Sequence, residues 1–162
     1  MQLIRRLGLA LCVLLVALAA VAATASASRQ PAGGTFSEGP ETIVAERQGG
    51  GNLIIELTRA VVFSGTYSGA GQAYQRIVVH QDGSANLQMT ITFSGLACGQ
   101  PAELEFNVVA DVAFDENFAG PVTGTYTVVD SGATEARTLR GHGEFDALAG
   151  VGGAYQGEAH CG

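Results

Sequence analysis

From Glu103 to Asp115 the chain alternates. Leu104, Phe106, Val108, Ala110, Val112 and Phe114 take one parity, and Glu103, Glu105, Asn107, Asp111 and Asp115 take the other. Side chains of an extended strand point to opposite faces in turn, so this segment buries one face and wets the other only as β-structure. The same period recurs in Leu87, Met89, Ile91 and Phe93, which oppose Gln88, Thr90, Thr92 and Ser94. It recurs again in Leu53, Ile55, Leu57, Val61, Phe63 and Tyr67. No stretch of the mature chain sustains a 3.6-residue apolar stripe. Closely spaced alternating segments with glycine turns predict an all-β domain, an antiparallel up-and-down barrel of about eight strands, with a β-sandwich as the alternative.

Punctuation between the segments places the turns. Gly49-Gly50-Gly51-Asn52 is a turn cluster, Gly69-Ala70-Gly71 turns the chain again, and Gly95 to Pro101 reads as a loop carrying Cys98. Asp82-Gly83 predicts a two-residue hairpin with both residues at positive φ. The last segments, Leu139 to Ala147 and Val151 to Cys161, form a glycine-rich hairpin about Leu148-Ala149-Gly150. Such a hairpin has too few side chains to hold itself together, so it must close onto other strands.

Within it, Gly141-His142-Gly143-Glu144-Phe145-Asp146-Ala147-Leu148-Ala149-Gly150 resembles the Gly-x-Gly-x-Phe-x-Gly-Ala-x-Gly run of the allene oxide cyclase barrel-like superfamily, departing from it at Ala147. The resemblance covers about the last fifth of the chain. It implies an eight-stranded barrel around a mostly apolar cavity. It does not carry over a catalytic acid, since no position here matches one.

Residues 1–27 have the zones of a secretory signal: Arg5 and Arg6, an uncharged apolar run from Leu7 to Ala23, and the small-residue pattern Ala25-Ser26-Ala27. The expected product is secreted and extracellular, beginning at Ser28, with no membrane attachment after cleavage. Residues 28–40, rich in glycine and proline, read as a flexible leader, although Gly34-Thr35-Phe36 offers the start of an edge strand; residues 41–162 read as the single β-barrel domain. Removing the signal takes away Cys12 and leaves Cys98 and Cys161, an even count in an exported chain, so these two are expected to form a disulfide. Lysine is absent, and the remaining arginines face all 15 carboxylates. Such acidity excludes nucleic acid and anionic membranes as partners and suits solubility outside a cell. Oligomeric state is left open.

Catalytic signals are sparse. There is no Gly-x-Ser-x-Gly elbow, and His80, His142 and His160 have no ligand-like spacing, so neither a metal nor another cofactor is expected. Tyr67, Tyr126 and Tyr155 fall on apolar parities, and Tyr74 is a further candidate. Inward tyrosines offer a cavity an apolar wall with a hydroxyl; the competing account has them capping the barrel ends. Arg59 breaks its strand's pattern, because alternation places it among Leu57 and Val61. A bulge near Thr58 to Ala60 or a position at the rim would return it to solvent, and these are favoured. An inward Arg59 would need a partner, either a carboxylate such as Glu46 or the acidic group of a ligand. The ligand-binding candidates are therefore Arg59, Tyr67, Tyr126 and Tyr155.

The inward sets contain no carboxylate, which favours binding over catalysis. The chain reads as a non-catalytic exported barrel that binds a small apolar or amphipathic ligand. The alternatives are a cyclase or isomerase of the resembled type and a module acting through its outer surface.

Overall fold

A computed structural model describes residues 28–115, 119–131 and 139–161. They form eight strands: β1 (Ser28–Gly49), β2 (Asn52–Gly65), β3 (Tyr67–Val79), β4 (Ser84–Ala97), β5 (Gln100–Ala113), β6 (Pro121–Asp130), β7 (Arg140–Leu148) and β8 (Gly152–Cys161). Each strand pairs antiparallel with the next, and β8 returns to β1 along Ser28–Ser37, closing the barrel. That closure excludes a sandwich, whose two sheets would keep separate edges. Residues 1–27, where a secretory signal is expected, lie outside the described residues, as do residues 116–118 and 132–138.

Alternation places the core as expected. Leu104, Phe106, Val108, Ala110 and Val112 are buried on β5, as are Leu87, Met89, Ile91 and Phe93 on β4. The outer face of these strands carries Gln88, Thr92, Glu103, Asn107 and Asp111, the reverse of the apolar band that a lipid-facing barrel presents.

Four local expectations are corrected. Residues 28–40 are no leader but the first half of β1, paired with β8 on one side and, from Gly34, with β2 on the other. Its glycines are needed there: Gly34 lies opposite Tyr155, and a Cβ on Gly34 would meet the Tyr155 hydroxyl at 2.6 Å. The chain leaves β2 at Gly65-Thr66 rather than at Gly69 to Gly71, so Tyr67 opens β3. Gly95 to Pro101 is no loop: β4 and β5 run to Ala97 and Gln100, joined by Cys98 and Gly99 with φ of 54° and 77°. At Asp82-Gly83 only Gly83 has positive φ, at 84°. His80 accepts from the Gly83 amide (3.1 Å) while its own amide donates to Ser84 O (2.8 Å), a three-residue turn closed by a left-handed glycine.

The two ends of the barrel differ. At one end Thr66, between β2 and β3, is tied to β1 and to the β4–β5 turn. Its amide donates to Gly33 O, its Oγ1 accepts from the Gly33 amide, and its carbonyl accepts from the Cys98 amide, each at 3.0 Å. Cys98, in the β4–β5 turn, is joined to Cys161 at the end of β8 as a disulfide, with Cα atoms 6.3 Å apart. In an eight-strand ring β4 and β8 lie opposite each other, so this bond crosses the closed end. Beneath it Phe63 stacks on Phe106 at 5.0 Å, and Tyr67 and Phe93 meet the same ring edge-on at 5.0 and 5.8 Å. An eight-stranded barrel is just wide enough for side chains to fill it, and here aromatic rings do so.

At the other end β1 to β5 overhang the shorter β6, β7 and β8. Past Glu38, β1 pairs with β2 alone, through register shifts at Glu38/Glu41 and Ile43/Ala45. Glu56 stitches the outside of this overhang, accepting from Arg47 and Tyr74, both at 2.8 Å.

The disulfide spans a sequence separation of 63 residues, and loop closure of that size stabilises by about 4 kcal/mol in chain-entropy terms. Replacing Cys98 and Cys161 by serine is expected to lower the unfolding free energy by about that amount while far-UV circular dichroism stays β. Denaturant curves that coincide for the two proteins would contradict this role.

Candidate functional site

The open end encloses a cavity of about 500 Å³. Its walls are apolar: Leu53, Ile55 and Leu57 from β2, Ile77 from β3, Leu87 and Met89 from β4, Val112 and Phe114 at the end of β5, and Val122 and Phe145 opposite. Beneath the cavity lies the aromatic layer, where only about 30 Å³ remains between Phe63, Phe106, Tyr126 and Tyr155. A pocket of several hundred Å³ with apolar walls and a few polar groups has the character of a small-molecule site.

Arg59 is the centre of the polar wall. It points inward, with its side chain only 5% exposed, so the favoured rim or bulge placement is overturned. A bulge does exist, but on the neighbouring strand. At Glu38/Glu41 one extra β1 residue shifts the parity, so that Glu38, opposite Val61, and Glu41, opposite Arg59, both face the cavity. Arg59 Nη1 donates to Glu38 Oε2 at 2.6 Å, and Nη2 donates to Glu41 Oε2 at 2.5 Å. The partners are therefore Glu38 and Glu41 rather than Glu46, which lines the cavity further out. The absence of an inward carboxylate is corrected by the same observation.

The two carboxylates are not equivalent. Glu38 is 12% exposed and its Oε2 also accepts the Gly150 amide of the β7–β8 turn at 3.1 Å, whereas Glu41 is 54% exposed. One is built into the wall and the other reaches in from the rim. Gln75 completes the polar set. It is only 3% exposed, and its Nε2 donates to the thioether of Met89 at 3.1 Å.

The tyrosines lie elsewhere. Tyr67, Tyr126 and Tyr155 are buried in the aromatic layer, below the cavity, and none of the three lines it. They do not cap the ends either. Tyr155 Oη accepts from the Tyr67 amide at 3.0 Å and donates to Ser64 O at 3.2 Å. The hydroxyls of Tyr67 and Tyr126 are buried without a hydrogen-bond partner among the described residues and sit over Gly141 and Gly143, where a Cβ would meet them at 2.3 and 2.7 Å. Burial pushes the Tyr67 hydroxyl well above its usual range and raises that of Tyr126 to about 12. Tyr74 faces outward, and its bond to Glu56 raises its hydroxyl in turn.

His80 stands at the β3–β4 turn between the side-chain oxygens of Asn52 and Asn86, at 3.3 and 2.8 Å, and His160 lies on β8 towards the opposite end. Of the candidates, then, only Arg59 belongs to the cavity. Glu38, Glu41 and Gln75 join it without having been singled out. Comparison with protein-family models, curated proteins and solved structures gave no match.

Removing Arg59 leaves Glu38 poorly solvated and unpaired. Arg59→Leu is expected to destabilise by about 2 to 3 kcal/mol, with part of the loss recovered when Glu38→Gln is added. Equal stability of Arg59→Leu and the parent would show that the ion pairs hold nothing.

The tyrosines divide by sign. Tyr155→Phe loses two hydrogen bonds and is expected to destabilise by about 1 to 2 kcal/mol, whereas Tyr67→Phe removes an unsatisfied buried hydroxyl and is expected to be neutral or to stabilise by about 1 kcal/mol. Urea unfolding of the two variants measures both, and the same sign for both would contradict the assignment.

Proposed function

We propose that this protein is an exported, non-catalytic β-barrel that holds a small amphipathic ligand in its open end. The observation that carries this reading is the asymmetry of the interior. One end is packed with aromatic rings and tied by a disulfide, and the other keeps about 500 Å³ free behind apolar walls. A barrel stabilised for its own sake would fill that space, since each unfilled region forfeits packing energy. Leu57 and Leu87 are buried at its base, and Leu53, Ile55 and Ile77 above them are only half-covered. A ligand chain laid along these side chains would gain roughly 25 cal/mol for each Å² of apolar surface removed from water. Export follows from the signal-like first 27 residues, and the acidic composition suits a protein that works outside the cell.

One observation favours a second reading, a cyclase or isomerase of the allene oxide cyclase type. That chemistry needs an acid–base group on the inner face, and Glu38 stands there. Yet Glu38 Oε2 is shared between Arg59 and the Gly150 amide, an arrangement that fixes a carboxylate rather than freeing it to carry protons. Binding is the better supported reading. The Gly-x-Gly-x-Phe resemblance agrees with it in architecture, an eight-stranded barrel around an apolar cavity.

Nile red, a neutral apolar dye, tests the proposal. The protein is expected to bind it with a large rise in fluorescence, and Leu87→Trp, which fills the cavity base, is expected to abolish the rise while leaving the circular dichroism unchanged. Dye binding that survives Leu87→Trp, or no binding at all, would count against a ligand in the open end.

A further inference from the structure

Resting on the binding reading, we infer that the ligand's polar end is a protonated amine and not a carboxylate. The polar groups that a ligand meets in the cavity are acceptors. Glu41 and Glu46 both line it and both are exposed. Gln75, although 97% buried, makes a single hydrogen bond among the described residues, Nε2 to the thioether of Met89, so its Oε1 is left without a partner. Gln75 lines the cavity, and its free amide oxygen is an acceptor that a donor on a bound molecule can meet there. That oxygen points to a ligand with N–H or O–H groups, independently of the carboxylates.

Arg59, the one cation of the wall among the described residues, does not offset them. Both terminal nitrogens of Arg59 are engaged, Nη1 by Glu38 and Nη2 by Glu41. Arg59 Nε is buried and has no partner among the described residues, and its burial gives an incoming anion no approach to it. Three carboxylates, Glu38, Glu41 and Glu46, thus stand around one guanidinium, and a ligand carboxylate would add a fourth negative charge in a partly desolvated space. An ammonium group reverses each of these terms. It supplies three donors for Gln75 Oε1 and the two rim carboxylates, and it lowers the net charge of the mouth. The apolar walls of Leu53, Ile55, Leu57 and Ile77 then take the hydrocarbon part. The ligand class is a primary amine on an apolar chain or ring of modest size. The surplus of carboxylates over arginines across the chain adds a field that draws cations and repels anions.

Isothermal titration with decylamine, decanol and decanoate at neutral pH separates the classes, because the three share one chain and differ only at the head. Decylamine is expected to bind about tenfold tighter than decanol and decanoate to bind weakest. In Glu41→Gln/Glu46→Gln, two substitutions at exposed positions, the first of which replaces a charged partner of Arg59 by a neutral acceptor, the preference for amine over carboxylate is expected to fall to about threefold or less. Decanoate binding as tightly as decylamine in the parent protein would overturn the inference while leaving the binding reading intact. So would an amine preference unchanged in the double variant. Absence of binding by all three, together with no Nile red uptake, would remove the binding reading itself.

Discussion

The ladder between Ser28–Ser37 and Gly152–Cys161 is the interaction on which the rest depends. Seven hairpin-linked pairings make only a meander with two raw edges, and it is the eighth that encloses an interior. Its two partners are the least able to stand alone: β8 is rich in glycine, and the first half of β1 holds Pro31, Gly33 and Gly34. Their backbones approach closely because they lack bulk, and this proximity lets Tyr155 lie across Gly34 with its hydroxyl on the backbone of Ser64 and Tyr67. Weak local preference is offset by tight non-local packing, with the Cys98–Cys161 disulfide fixing the end of the same strand. Pairings this distant in sequence close large loops and form slowly, so the staple acts where the entropy of closure is greatest.

Much of this fold is written in period two. The inner faces of β2, β4 and β5 follow from parity alone, because one face is buried and a slip of one residue would expose it. Residues 28–40 were misread because glycine and proline normally punctuate; nothing local reveals that an aromatic partner more than a hundred residues away needs their small size. The turns were misplaced by a few residues for a similar reason. Cys98 adopts a left-handed backbone that its residue type gives no cause to expect, and a disulfide and the Thr66 carbonyl hold it there.

The site was legible only in part. Alternation put Arg59 inside, and the cost of an unpaired buried cation argued for moving it out. Both considerations were sound, and the structure satisfies them together by bringing two carboxylates in. What parity could not supply was the bulge, since an extra residue on β1 switches which side chains face inward and leaves no signature beyond Gly39-Pro40. The tyrosines illustrate the converse: inward parity was right, but parity does not say at which level along the barrel a side chain lies.

The irregularity of β1 has an effect outside the cavity too. Beyond Glu38 this strand has β2 on one side and, among the described residues, no strand on the other, and it exposes Ile43 and Val44. A flat, regular strand of that kind would be a template on which other chains could add, the first step of cross-β aggregation. Pro40 cannot donate to such a ladder, the two register shifts break the even spacing of amides and carbonyls, and Glu41, Glu46 and Arg47 place charge along the edge. The kinks that turn Glu38 and Glu41 towards the interior thus also make the mouth of the barrel a poor template for an added strand.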